Sequence, residues 1–200
     1  MNRLRKLFGK DVLRDFWHWF AKHQEAFYHF EDNQQQLFGA LQKKLFEIHH
    51  DLSFEFGPVQ QNGRRIFTIT AGGIRDAFPF VVQLVDRAPK LEKWQVNAFK
   101  QRVPANDLSV QLGEEVKLGY SDIFFEYVFK DELVNLNLYI KNYKDNDQYK
   151  GAAFILLDAL LGEYDTETYL GSVEFSRLAE PPGEGLLPFV KLRSIIDSRR

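Results

Sequence analysis

The stretch Val134-Asn-Leu-Asn-Leu-Tyr-Ile140 decides the fold class, because its apolar and polar residues alternate without a break. Alternation with a period of two predicts a β-strand with one buried face and one face in water. Such strands are typical of antiparallel sheets, whereas the strands of a covered parallel sheet are apolar on both faces. We therefore expect this stretch to belong to an antiparallel sheet with polar side chains on one face.

Further strands are expected on both sides of this stretch. They are Leu52–Phe56, Phe67–Thr70, Trp94–Ala98, Ile123–Phe129 and Leu170–Ser176. Asn62 and Gly63, between the first two, form the dipeptide that most strongly favours a tight hairpin turn. Residues 103–120 contain several turn-forming residues and hold either a hairpin or a loose excursion of the chain.

Apolar residues with helical spacing predict helices before, between and after these strands. The first two helices are expected within Asp11–Phe30 and Leu37–Ile48, and a third at Phe78–Arg87. A fourth helix ends at Leu161, and residues 184–200 are expected to form a terminal helix.

This order of elements predicts the α+β class. We expect a mainly antiparallel sheet of about five to seven strands, with helices packed on one face. Because no repeat or linker divides the chain, residues 1–200 are expected to form a single domain, with a loosely ordered basic N-terminus at residues 1–10.

The composition excludes several classes of site. The chain has 200 residues and no Cys, which excludes disulfides, thiolate nucleophiles and Cys-ligated metal centres. A formal net charge of −2 with mixed signs gives no basic footprint for nucleic acid. No apolar stretch is long enough for a membrane span. We expect a cytoplasmic protein that binds no cofactor.

Four fragments together resemble an uncharacterised bacterial domain family. Its members share a Trp/Phe-rich first helix, an F-x-F-G strand and an L-G-E-Y-D turn. The fragments that carry the resemblance are Phe16-Trp-His-Trp-Phe20, Phe54-Glu-Phe-Gly57, Pro89-Lys-Leu91 and Leu161-Gly-Glu-Tyr-Asp165. The resemblance spans most of residues 11–176 and implies a single bacterial domain. It implies no activity, cofactor or catalytic residue.

A cluster of carboxylates surrounds the end of the fourth helix. Asp158 lies among apolar residues of that helix, and Glu163, Asp165 and Glu167 follow Gly162 in what reads as a loop leading into a strand. Clustered carboxylates bind Mg²⁺ or Ca²⁺, or act as acid and base, so Asp158, Glu163 and Asp165 are the candidate catalytic residues. The alternative is that Gly162 caps the helix and the acids lie on a solvated turn.

The polar positions of the strands give the candidate binding residues. If the apolar positions face the helices, the opposite face would line a groove for a peptide or a small polar ligand. The alternative is a sheet face that contacts only water. The candidate binding residues are Glu55, Asn97, Glu126, Asn135, Asn137, Tyr139 and Glu174.

The histidines do not predict a metal site. His18, His23 and His29 lack the four-residue spacing that places two ligands on one helix face. His49-His50-Asp51 closes the second helix, where imidazoles complement the helix dipole.

The leading hypothesis is a non-catalytic binding module whose partner is a protein or peptide. One alternative is a small carboxylate-dependent hydrolase, assisted by a divalent metal, that uses Asp158, Glu163 and Asp165. A further alternative is a protein that neutralises a bacterial toxin.

Overall fold

A computed structural model describes residues 11–104 and 107–200 of the chain. Its internal contacts divide the chain into two compact units, with the boundary between Phe99 and Lys100. The predicted α+β class is confirmed. Within the described residues, however, the strands form three sheets of three, two and four strands instead of one continuous sheet. That residues 1–200 fold as one domain stays a prediction.

The first unit combines three α-helices with the three-stranded sheet. Its elements are α1 (Val12–Tyr28), α2 (Gln34–Phe46), β1 (Ser53–Val59), β2 (Arg65–Thr70), α3 (Phe78–Asp86) and β3 (Trp94–Ala98). As Asn62-Gly63 predicts, β1 and β2 form an antiparallel hairpin. The chain then crosses through α3, and β3 lies parallel to β2.

Aromatic rings fill the core of the first unit. Phe20 of α1 stacks on Phe27 and on Phe67 of β2, with ring centroids 5.3 and 4.8 Å apart. Trp94 of β3 meets Phe20 edge-on at 5.4 Å. All four rings are buried. Offset and edge-to-face contacts of this kind stabilise aromatic pairs beyond the area they bury, so the Phe-rich composition specifies how α1 packs on this sheet.

The second unit contains the other two sheets. Its elements are β4 (Ser109–Leu112), β5 (Val116–Gly119), β6 (Ile123–Lys130), β7 (Leu133–Ile140), α4 (Asp147–Leu161), α5 (Glu163–Tyr169), β8 (Leu170–Arg177), β9 (Leu187–Pro188) and α6 (Leu192–Asp197). The larger sheet has the order β8-β7-β6-β9. Its strands β6 and β7 form an antiparallel hairpin, and β8 lies parallel to β7 after α4 and α5. Both units therefore use a hairpin followed by a helical crossover.

The alternation along β7 has the predicted structural result. Val134, Leu136, Leu138 and Ile140 are buried in one apolar core with residues of α4 and α6. The intervening polar residues lie on the opposite face of the sheet and are only partly buried. No helix among the described residues combines the length and the apolar content that a membrane span requires.

One open alternative is resolved, and two local predictions need correction. Of the two alternatives for residues 103–120, the hairpin is confirmed, because β4 and β5 pair over residues 109–119. The terminal helix α6 occupies only part of 184–200 and follows the short strand β9. The predicted loop after Gly162 is the helix α5, because the Thr166 N–H donates to the Gly162 carbonyl at 3.0 Å and starts a new helical turn.

Gly162 joins α4 to α5 with a positive φ of 81°. A Cβ atom at this position would lie 3.2 Å from the Lys100 carbonyl oxygen. Gly162→Ala should therefore lower the free energy of unfolding by about 1–3 kcal/mol, measured by urea denaturation. Gly39→Ala, in the interior of α2 with no atom near the added Cβ, is the control. It should be neutral or stabilising by up to about 1 kcal/mol, and equal losses in both variants would contradict this explanation.

Candidate functional site

Five of the seven candidate binding residues lie together on one face of the four-stranded sheet. We call Glu126, Asn135, Asn137, Tyr139 and Glu174 the polar face. Across the strands, Glu126 of β6 pairs with Asn137 of β7, and Asn137 pairs with Glu174 of β8. Residues that pair directly across neighbouring strands point to the same side of a sheet. These three side chains therefore form a row perpendicular to the strands.

Hydrogen bonds connect the members of the polar face. The Tyr139 hydroxyl donates to Glu126 Oε1 at 2.7 Å. Asn137 Nδ2 donates to the Tyr139 oxygen at 2.9 Å and to Glu126 Oε1 at 3.3 Å. On the β8 side, Ser176 Oγ donates to Asn137 Oδ1 at 3.2 Å. The network holds Asn137 and Tyr139 in fixed orientations, which lowers the entropy cost of binding a ligand there.

The polar face has a negative electrostatic character. The hydrogen bond to Glu126 raises the pKa of Tyr139 above its usual value, with a smaller contribution from burial, because an ionised phenol would lose that bond and repel the carboxylate. Among the described residues, Glu126 Oε2 and the Glu174 carboxylate accept no hydrogen bond. Two strand spacings separate the two carboxylates, which is about 10 Å. They therefore offer acceptors on both sides of Asn137.

Apolar side chains border the polar face. Val128 pairs with Asn135 across β6 and β7 and is 63% exposed. Phe124 pairs with Tyr139 on one side and with Pro188 of β9 on the other, and it is partly buried. Apolar atoms beside oriented acceptors are the combination that protein and peptide partners contact.

Glu55 and Asn97 do not belong to this site. They lie on β1 and β3 of the first unit, on either side of Thr68 in the three-stranded sheet. The expected single face of seven residues depended on one continuous sheet, and the division into separate sheets removes that basis. Glu55, Thr68 and Asn97 form their own row instead.

Asp165, a predicted catalytic residue, is held by arginines. It is 3% exposed, and Arg102 donates to its Oδ2 at 2.8 Å. Arg200 contacts the same oxygen. Arg102 also binds Asp197 at 2.6 Å and the Leu161 carbonyl at 2.7 Å. The two guanidinium groups compensate the charge of the buried carboxylate, because an unpaired charge at this depth would be very costly. These contacts therefore stabilise the fold and require no catalytic role for Asp165.

Glu163 is also part of the structural framework. It is only 1% exposed, and its Oε2 accepts the Lys100 N–H at 3.1 Å. Its own N–H donates to the Lys100 carbonyl at 3.0 Å. The alternative of acids on a solvated turn is therefore wrong for Glu163 and Asp165, because α5 turns both side chains inward.

Asp158, the remaining predicted catalytic residue, has a raised pKa. It rises from 3.8 to about 6, mainly because of burial and in addition because of the nearby Glu163 and Glu167. Lys100 and a hydrogen bond from Thr166 oppose the rise. The carboxyl therefore exchanges a proton near neutral pH, which is the range a general acid or base needs.

The partners of these carboxylates were not predicted from the sequence. Lys100 and Arg102 lie in an irregular segment before β4, and Arg200 is the last residue of the chain. Their separation from α5 along the sequence leaves no periodic signal of the contact. The sequence signal for a partner was Asp158, an acid among the apolar residues of α4, because such a carboxylate needs either a partner or a route to water.

Comparison with known proteins identifies no relative. No protein-family model, curated protein or solved structure matches the chain. The resemblance of its four fragments to a bacterial domain family therefore stays a prediction.

Asp158→Asn tests the raised pKa of this carboxyl. Because the pKa of Asp158 is higher in the folded protein than in the unfolded chain, folding takes up a proton between about pH 4 and 6. The free energy of unfolding of the wild type therefore falls as pH rises through that window. The substitution should remove this fall. At pH 7 it should raise the free energy of unfolding by about 1 kcal/mol, after allowance for partial solvent access.

Urea denaturation at several pH values measures this difference. Asp131→Asn, in the exposed turn between β6 and β7, is the control and should leave the pH profile unchanged. A loss of stability in Asp158→Asn at neutral pH would contradict the raised pKa and would indicate a carboxylate satisfied in its ionised form.

Proposed function

We propose that the protein is a non-catalytic binding module that recognises a protein or peptide partner through the polar face. The observation that carries the proposal is the row of exposed Glu126, partly buried Asn137 and exposed Glu174, in register across three strands. The row combines two acidic groups with an amide that the network holds in place. The raised pKa of Tyr139 is consistent with a phenol that stays protonated and acts as a fixed donor to Glu126.

The chemistry of the polar face favours a basic partner segment. Glu126 and Glu174 would pair with Lys or Arg side chains, and Arg binds carboxylates with two parallel hydrogen bonds. Val128 and Phe124 would contact the apolar parts of the same segment. Nucleic acid is disfavoured, because its phosphates would meet two carboxylates on this surface.

One observation favours the alternative of a carboxylate-dependent hydrolase, which is the pKa of about 6 at Asp158. The contacts of the neighbouring acids do not favour it. Asp165 already binds Arg102 and Arg200, and Glu163 accepts a backbone N–H, so neither carboxylate is poised to hold a hard cation. A single carboxyl with altered acidity is also common in proteins that have no catalytic function.

A thermal shift with Mg²⁺, Mn²⁺ and Ca²⁺ distinguishes the two functions. The binding module should melt at the same temperature with and without Mg²⁺ or Ca²⁺, and Mn²⁺ should give no increase that depends on Asp158. A hydrolase whose carboxylates bind the metal should melt at a higher temperature, because a ligand of the native state stabilises it. An increase that Asp158→Asn abolishes would overturn our proposal in favour of the hydrolase.

The polar face itself is tested by reversing its charge. The double variant Glu126→Arg/Glu174→Arg should capture its partner from a lysate of the native host at least about tenfold less efficiently than wild type, since like charges across an interface are strongly unfavourable. Quantitative mass spectrometry of the captured proteins measures the change.

The control carries two charge reversals at other exposed positions, Glu114→Arg and Glu184→Arg. It should capture the same partner as wild type, and both double variants should melt near the wild-type temperature. Retention of the partner by the polar-face variant, or its loss in the control, would contradict the proposed site.

A further inference from the structure

Three potential metal ligands follow one another in the turn between α2 and β1. The helix α2 ends at Phe46, so His49, His50 and Asp51 lie beyond it. The His49 N–H donates to the Leu45 carbonyl at 3.0 Å, which closes the turn. From the sequence, these residues were expected at the end of the second helix, and the turn instead brings their three side chains together.

The distances between the ligand atoms suit a tetrahedral metal. His49 Nδ1 lies 3.6 Å from Asp51 Oδ2, and His50 Nε2 lies 3.4 Å from the same oxygen. One ligand atom from each of the three residues lies within 4.8 Å of the others. Donors that bind one tetrahedral metal at about 2.1 Å are themselves about 3.4 Å apart. Small side-chain rotations would therefore close the arrangement around an ion.

Ring stacking holds the two imidazoles in place. The His49 ring packs against Phe80 of α3, with centroids 4.5 Å apart, and against His50 at 4.6 Å. His50 keeps this position although its side chain is 80% exposed. The Asp51 N–H donates to His49 Nδ1 at 3.2 Å, a long hydrogen bond that a metal would replace. The ligands therefore lose little conformational freedom on binding.

We propose that His49, His50 and Asp51 bind a divalent transition metal of the zinc class. Imidazole nitrogens favour Zn²⁺ and its neighbours, whereas Mg²⁺ and Ca²⁺ take oxygen ligands. Three protein ligands leave a coordination position for water or for a donor from another molecule. This site lies in the first unit, and the proposal does not depend on the polar face in the second.

Zinc titration of the full-length, tag-free protein by calorimetry tests the site. Wild type should bind one Zn²⁺, and the ring signals of His49 and His50 should shift in the NMR spectrum. His50→Ala and Asp51→Asn should each weaken the affinity by at least about tenfold, because loss of even an outer-shell partner has an effect of this size. The exposure of His50 makes its removal compatible with folding, so His50→Ala decides the test if Asp51→Asn is unstable.

His18→Ala is the matched control, since it removes one exposed histidine from α1. It should bind zinc like wild type, and Mg²⁺ should give no heat with any variant. The absence of zinc binding by wild type, or full affinity in His50→Ala, would overturn the proposal. Loss of affinity in His18→Ala would overturn the assigned ligands, and Mg²⁺ binding that His50→Ala abolishes would overturn the metal class.

Discussion

Burial of the apolar side of β7 is the constraint on which the second unit depends. Val134, Leu136, Leu138 and Ile140 are each nearly inaccessible to water, and each contributes roughly 1.5–3 kcal/mol through that burial. Because side chains alternate strictly along a strand, a slip of one residue would expose all four and bury the polar ones. The hydrophobic core therefore determines which residues the polar face presents.

The acidic residues of the second unit have two different functions. Asp165 and Glu163, beside Gly162, are buried and satisfied by Arg102, Arg200 and the backbone of Lys100, so they stabilise the junction of α4 and α5. Glu126 and Glu174 lie on the exposed side of the sheet and keep acceptor oxygens available. Two of the candidate catalytic residues, Glu163 and Asp165, thus serve the fold, and the alternating strand supplies the proposed binding surface.

The sequence predicts the local elements well, because local signals determine them. Asn62-Gly63 predicts the first hairpin, and the alternation of residues 134–140 predicts β7 and its two faces. Alternation does not reveal which strands share a sheet, so Glu55 was wrongly grouped with Glu126. The helix α5 was not predicted, because a glycine at position 162 is typical of the residue at which a helix ends. The contacts of Asp165 depend on residues far away in the chain, which no periodicity reports.

The register of β6, β7 and β8 is the most direct test of this account. In an NMR spectrum of the folded protein, backbone protons of Glu126 should show cross-strand contacts to Asn137, and those of Asn137 should show contacts to Glu174. Pairing of Glu126 with Leu136 or Leu138 instead would mean a one-residue slip. It would disperse the row of polar side chains and contradict the proposed binding face.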